Sequence, residues 1–223
     1  MVDKESEVVN TSGRFDQFHA LPEEKQRRIL NAAFAEFGEK GFQHASTNEI
    51  VKHAGIGKGM LFYYFGSKHE LFEFLVDYTL EFAQTLRDTS ADNGDFIDRC
   101  GRLSQRKRRA MEESPEVFRF LESLYHPENA PESERYLPKL QALQKEHIAQ
   151  LFEGLDYSLL REDLRPEDAL RHIQWVLEGY ERDLTRRLQT APLTPEAAAI
   201  EWKRFEQLLT DLHKAYYKQQ SNV

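Results

Sequence analysis

With 223 residues, 40% hydrophobic and 30% charged side chains, the chain has the make-up of a soluble globular protein with a real core and not of a disordered or fibrous one. Its single cysteine, Cys100, excludes an internal disulfide or a multi-cysteine metal site and fits a reducing compartment; with no bilayer-length apolar run and a polar start, MVDKESEVVNTSGRFDQ, the expectation is a cytoplasmic protein. A net charge of −8 speaks against a broad basic surface, but it is uneven: residues 1–71 hold 9 Lys and Arg against 10 Asp and Glu, and residues 72–223 hold 21 against 28.

Residues 1–20 lack apolar periodicity and read as a disordered, solvated N-terminal tail, with Phe15 and Phe18 the only positions suited to order. From Leu21 the pattern changes. Ile29, Leu30, Ala33, Phe34 and Phe37 recur at helical spacing behind Pro22 and two glutamates, and Gly41 offers a left-handed stop. Two Ser-x-x-Glu capping boxes follow, Ser46 with Glu49 and Ser67 with Glu70. The first opens a short helix ending at Ala54, where Gly55 stops it; after Ile56 and Gly57 a second short helix runs from Lys58 to Phe65. Two short helices about a glycine turn form a helix-turn-helix pattern.

On the 58–65 helix Leu61, Phe62 and Phe65 share one side, as core, and Gly59, Met60 and Tyr63 share the other. An outward Met and Tyr beside a glycine suits a major groove, which admits a helix whose first residues reach base edges. Tyr63 is expected to meet a base edge or a thymine methyl. Helix starts at Ser46, Gly57 and Ser67 present backbone N–H groups to phosphates without any basic side chain. Thr47, Tyr64 and Lys68 are placed to add phosphate contacts, and Lys58 to serve a phosphate or a guanine.

Beyond Ser67 the reading is helix after helix: a stripe of Leu71, Phe74, Leu75, Tyr78 and Phe82, then helices over about 94–112, 115–126, 133–155, 166–189 and 194–219, the last with Thr194 as N-cap. The fold class is all-α: residues 21–67 a helix-turn-helix domain, residues 68–219 a larger helical effector-binding and dimerisation domain. The run Arg106 to Arg109 reads as a solvated helix face. The eight histidines are scattered, so no metal or other cofactor is expected. GIGKG lacks the preceding strand and the following Ser or Thr of a phosphate-binding loop, and no catalytic motif is visible, so the chain is read as a non-enzyme.

The segment LPEEKQRRILNAAFAEFGEKGFQHASTNEIVKHAGIGKGMLFYYFGSKHELF resembles the DNA-binding domain of the TetR family of repressors, most specifically over STNEIVKHAGIGKGMLFYYFGSKHEL. The resemblance implies that Thr47, Tyr64 and Lys68 contact phosphates and that Lys58, Gly59, Met60 and Tyr63 approach bases. Many members carry Thr in place of Met60, so no operator preference follows. It further implies a repressor that binds a palindromic double-stranded DNA operator as a homodimer through the helices at 166–189 and 194–219. A small-molecule effector, held among residues 72–180, would release it. Phe82, Phe118, Tyr125, His147, Trp175 and Tyr180 are candidate pocket residues. The alternatives are an all-α protein-interaction module and a helical enzyme.

Overall fold

A computed structural model describes residues 15–86, 94–125, 130–188 and 194–218. The elements are α1 (Asp16–His19), α2 (Glu23–His44), α3 (Thr47–Ala54), α4 (Lys58–Phe65), α5 (Lys68–Thr85), α6 (Phe96–Glu113), α7 (Pro115–Ser123), α8 (Ala130–Ser133), α9 (Leu137–Leu151), α10 (Pro166–Leu188) and α11 (Pro195–Tyr216), with a 3-10 turn at Tyr157–Leu159. The all-α expectation holds. Extended pairing among the described residues is limited to a single antiparallel bridge, Leu160 with Tyr217, which ties the end of α11 to the loop before α10.

Most helix ends follow the sequence punctuation. Ser67 Oγ accepts from the Glu70 amide at 3.1 Å, Asp95 Oδ1 from Asp98 at 2.9 Å and Thr194 Oγ1 from Ala197 at 3.2 Å. Gly55 closes α3 in the left-handed region, at φ 66 and ψ 38. Gly41 sits at φ 66, ψ 174, a conformation open only to glycine, and it breaks α2 one turn before its end. The expected 133–155 helix is shorter: a turn precedes Leu137, Pro138 occupies the first helical turn, and the helix ends at Leu151.

Two apolar cores organise the chain. The first gathers Phe34, Phe37, Ile50, Leu61, Phe65 and Leu75 from α2 to α5, and it continues into Val117 and Phe120 of α7 and Leu140 of α9. It also takes in the end of the tail. Phe18, on the single turn α1, is 1% exposed and packs its ring against Phe65 and Phe74 at 4.9 and 5.3 Å, with Phe15 against Phe74 at 4.8 Å. The tail reading is therefore corrected for residues 15–20: burial of one Phe ring contributes about 1.5–3 kcal/mol, which fixes a four-residue helix that has no side-chain cap. Residues 1–14 lie outside the described residues. The second core joins Phe96, Cys100 and Leu103 of α6 to Leu151, Ile173, Leu209 and Leu212.

Within the first core α7 crosses α2. A Cβ built on Gly38 would stand 3.1 Å from the Phe120 amide nitrogen and 3.3 Å from the Arg119 carbonyl carbon, so the two helices approach backbone to backbone at that point. Phe120 then fills the space between Phe34 and Phe72, at 5.3 and 5.4 Å.

Candidate nucleic-acid interface and ligand cavity

α4 has only eight residues, too few for a stable isolated helix, so packing must hold it. Leu61 and Phe65 are buried as expected, and Tyr64 joins them at 4% exposure, its ring edge-on to Phe18 at 6.4 Å. Tyr64 was expected to meet a phosphate. Its ring lies in the core instead, and its hydroxyl sits 3.4 Å from Lys25 Nζ of α2, which donates to it. The opposite face is bare: Met60 is 40% and Tyr63 60% exposed, Lys58 is exposed, and a Cβ added at Gly57 or Gly59 would meet nothing within 4 Å. Tyr63 is nevertheless held in place, since its hydroxyl donates to Gln17 Oε1 of α1 at 3.0 Å. Sequence reading missed Gln17, whose only signal is its place between Phe15 and Phe18.

Thr47 is half-buried at the first position of α3. The Ser46 side chain makes no capping bond. The Ser46 amide donates to Glu36 Oε1 of α2 at 2.8 Å, and the same carboxylate, 5% exposed, takes Lys40 Nζ at 3.0 Å. A buried acid on α2 thus replaces the expected capping box and locks the start of α3 to α2. Lys68 opens α5 with its ammonium 3.3 Å from the Gln43 carbonyl and 4.9 Å from the centre of the Phe42 ring; burial lowers its pKa from the usual lysine range. Gly66 precedes it at φ 74, where the Glu70 carboxylate lies against it and leaves no room for a side chain.

A cavity of about 470 Å³ lies in the second core, between α6, α9, α10 and α11. Of the candidate pocket residues, Tyr125, His147 and Tyr180 line it. Phe82, Phe118 and Trp175 do not: Phe82 and Phe118 face each other at 6.0 Å between α5 and α7, and Trp175 is 59% exposed beside His172. A helical repeat places residues on a stripe but does not say which neighbour covers it. The basic run is also corrected. Lys107 is half-buried and turns into the cavity, whereas Arg108 pairs across the surface with Glu112 at 3.2 Å and Glu206 at 3.8 Å. Cys100 lines the cavity too, but burial pushes its thiol up to about 12, far from a reactive thiolate.

This arrangement defines a helix-turn-helix reading head carried on a helical body with an internal cavity. The comparisons agree. Residues 29–75 match the family described as bacterial regulatory proteins, tetR family. The HTH-type transcriptional regulator YdgC of Bacillus subtilis (strain 168) is 35% identical over 72 residues, a match that spans 32% of this chain and 37% of YdgC. Among solved structures, a TetR-like regulator from Rhodococcus sp. RHA1 shares the fold with a TM-score of 0.56 at 19% identity, over 85% of this chain and 96% of that one. NalD, the secondary repressor of the MexAB-OprM multidrug efflux pump in Pseudomonas aeruginosa, does so at 0.55 and 20%, over 89% and 100%. Its helix-turn-helix segment is thus similar to the DNA-binding domain of the TetR family of transcriptional regulators, and the chain spans about a third of the length of the curated relative it matches.

The Glu36 lock gives a direct test of how the head is built. Glu36→Ala removes the acceptor of the Ser46 amide and is expected to cost about 1–3 kcal/mol in chemical denaturation. The exposed neighbour Glu39→Ala should stay within about 0.5 kcal/mol of the parent. Equal effects would show that Glu36 does not anchor α3.

Proposed function

We propose that this protein is a cytoplasmic, ligand-released repressor that binds a palindromic DNA operator as a homodimer. The observation that carries the reading is the bare Lys58, Gly59, Met60 and Tyr63 face of α4, exposed on a helix that buries Leu61, Tyr64 and Phe65 in the core. A solvated face needs no exposed Tyr and Met held beside side-chain-free glycines; a groove does. The starts of α3, α4 and α5 supply amides to phosphates, with Thr47 and Lys68 beside them. Lys25, resting on the buried Tyr64 hydroxyl, takes the phosphate role that sequence gave to Tyr64 itself.

The dimer surface is proposed on α10 and α11. Their inner residues Ile173, Leu209 and Leu212 are covered by the chain's own core, but Trp175, Val176 and Ile200 are 59%, 40% and 54% exposed. Trp175, Val176 and Gly179 follow at helical spacing, and a partner helix can approach closely at Gly179, where an added Cβ would meet only Arg182, at 3.9 Å. A twofold copy would close a four-helix interface and set two recognition helices roughly 34–36 Å apart, the spacing of successive major grooves.

Release would travel through α7. Tyr125, just past its end, lines the cavity, while Phe120 and Arg119 press on α2 at Gly38. A ligand that prefers the displaced arrangement by a few kcal/mol is sufficient to empty the operator. A regulator is favoured over an enzyme because the exposed chemistry of the chain lies on the reading head.

Tyr63→Ala is expected to weaken binding to the protein's own upstream region by about 1–3 kcal/mol while leaving random DNA nearly unchanged, whereas Lys68→Ala should weaken both and lower the salt slope by about 1. Fluorescence titration over a range of salt measures both. Equal losses on both DNAs from both variants would overturn the assigned roles. In sedimentation at micromolar concentration the 26.2 kDa chain should run as a dimer, and Trp175→Glu with Ile200→Glu should run as a monomer. A monomeric parent would remove the dimer from the account.

A further inference from the structure

The cavity has two unlike ends. Phe96, Cys100, Leu103, Leu151 and Leu177 make one end apolar. Lys107, two helical turns or about 10 Å along α6 from Cys100, stands at the other with Tyr125 and Glu181. Among the described residues neither Lys107 nor Glu181 makes a hydrogen bond or a direct ion pair; they act on each other only through space. Burial lowers the pKa of Lys107 and raises those of Glu181 and Tyr125, so both ions are held at a desolvation cost that a bound partner could relieve.

The other acids of the wall are already engaged. Glu178 accepts from Gln174 at 2.8 Å and lies 3.8 Å from Arg182. Glu201 is held by Arg187, by Arg204 at 2.7 Å and by the Tyr180 hydroxyl at 3.2 Å. The charged side chains that this end leaves without a direct partner are therefore one cation and one anion. An anionic head would satisfy Lys107 and face repulsion from Glu181, and a cationic head would do the reverse. A neutral head that both accepts and donates satisfies the two at once.

From this geometry we infer that the effector is an uncharged amphipath, an apolar chain or ring system ending in a primary amide or comparable donor–acceptor group. Its carbonyl oxygen accepts from Lys107, its N–H donates to Glu181, and its apolar part lies along Leu103, Leu177 and Leu151. The inference rests on the cavity being the effector site.

The test is calorimetry of the full-length protein at neutral pH with three probes of equal chain length: octanamide, octanoate and octylammonium. Octanamide should bind at least about tenfold more tightly than either ion, a difference of about 1.4 kcal/mol. Glu181→Gln should make octanoate the tightest of the three, and Lys107→Met should make octylammonium so. Octanoate or octylammonium matching octanamide on the parent protein would overturn the ligand class, as would no heat from octanamide in protein that still binds its operator. The parent ranking decides this even if a variant fails to fold. Octanamide binding in the expected order without releasing operator DNA would leave the ligand class standing and remove the effector reading.

Discussion

A two-turn helix cannot hold its own shape in water, and the reading head depends on how α4 escapes that limit. Its inner side is an anchor of rings. Tyr64 and Phe65 lie against Phe18 and Phe74, and Phe74 leads along α5 to Tyr78, itself 5.6 Å from Phe34. Because these rings fix the rotation of α4 about its axis, the remaining side, with its glycines and exposed Tyr63, has one defined direction. Specificity in a groove requires that direction to be fixed before DNA arrives, since ordering it on binding would draw on the binding energy.

The same core joins the head to the body. It does not stop at α5 but includes Phe120 of α7 and Leu140 of α9, so the body's helices complete the head's packing. At Gly38 the approach is close enough that α7 cannot shift without moving α2 or opening a gap. On the surface a polar network ties α5 to the turn before α9: Arg135 donates to Glu73 of α5 at 2.8 Å and to the Tyr136 hydroxyl at 2.6 Å. Head and cavity thus share one boundary, a suitable place for a two-state element.

Much of this was legible in the sequence because it is local. The Ser67 and Thr194 caps, the Gly55 stop, the inward Leu61 and Phe65 and the outward Met60 and Tyr63 follow from spacing within one or two turns; the half-buried Phe62 and the buried Tyr64 do not. What escaped depends on residues distant in the chain. Ser46 has the form of a capping residue, yet a glutamate ten positions earlier takes its amide. Phe18 sits in a polar stretch and is buried by α4 and α5. Lys107 lies in a basic run whose other members face solvent or the surface, and only the placement of α10 turns it into the interior. Phe82, Phe118 and Trp175 were as apolar as the true lining residues, and which helix covers which stripe decided among them.

The central claim is that two copies of the bare α4 face enter successive major grooves. Hydroxyl-radical footprinting of the DNA upstream of the protein's own gene tests it most directly. The account predicts two protected tracts related by a dyad, on one side of the duplex, with centres roughly 34–36 Å apart. A single tract, or protection no different from that on random DNA at the same salt, would contradict it.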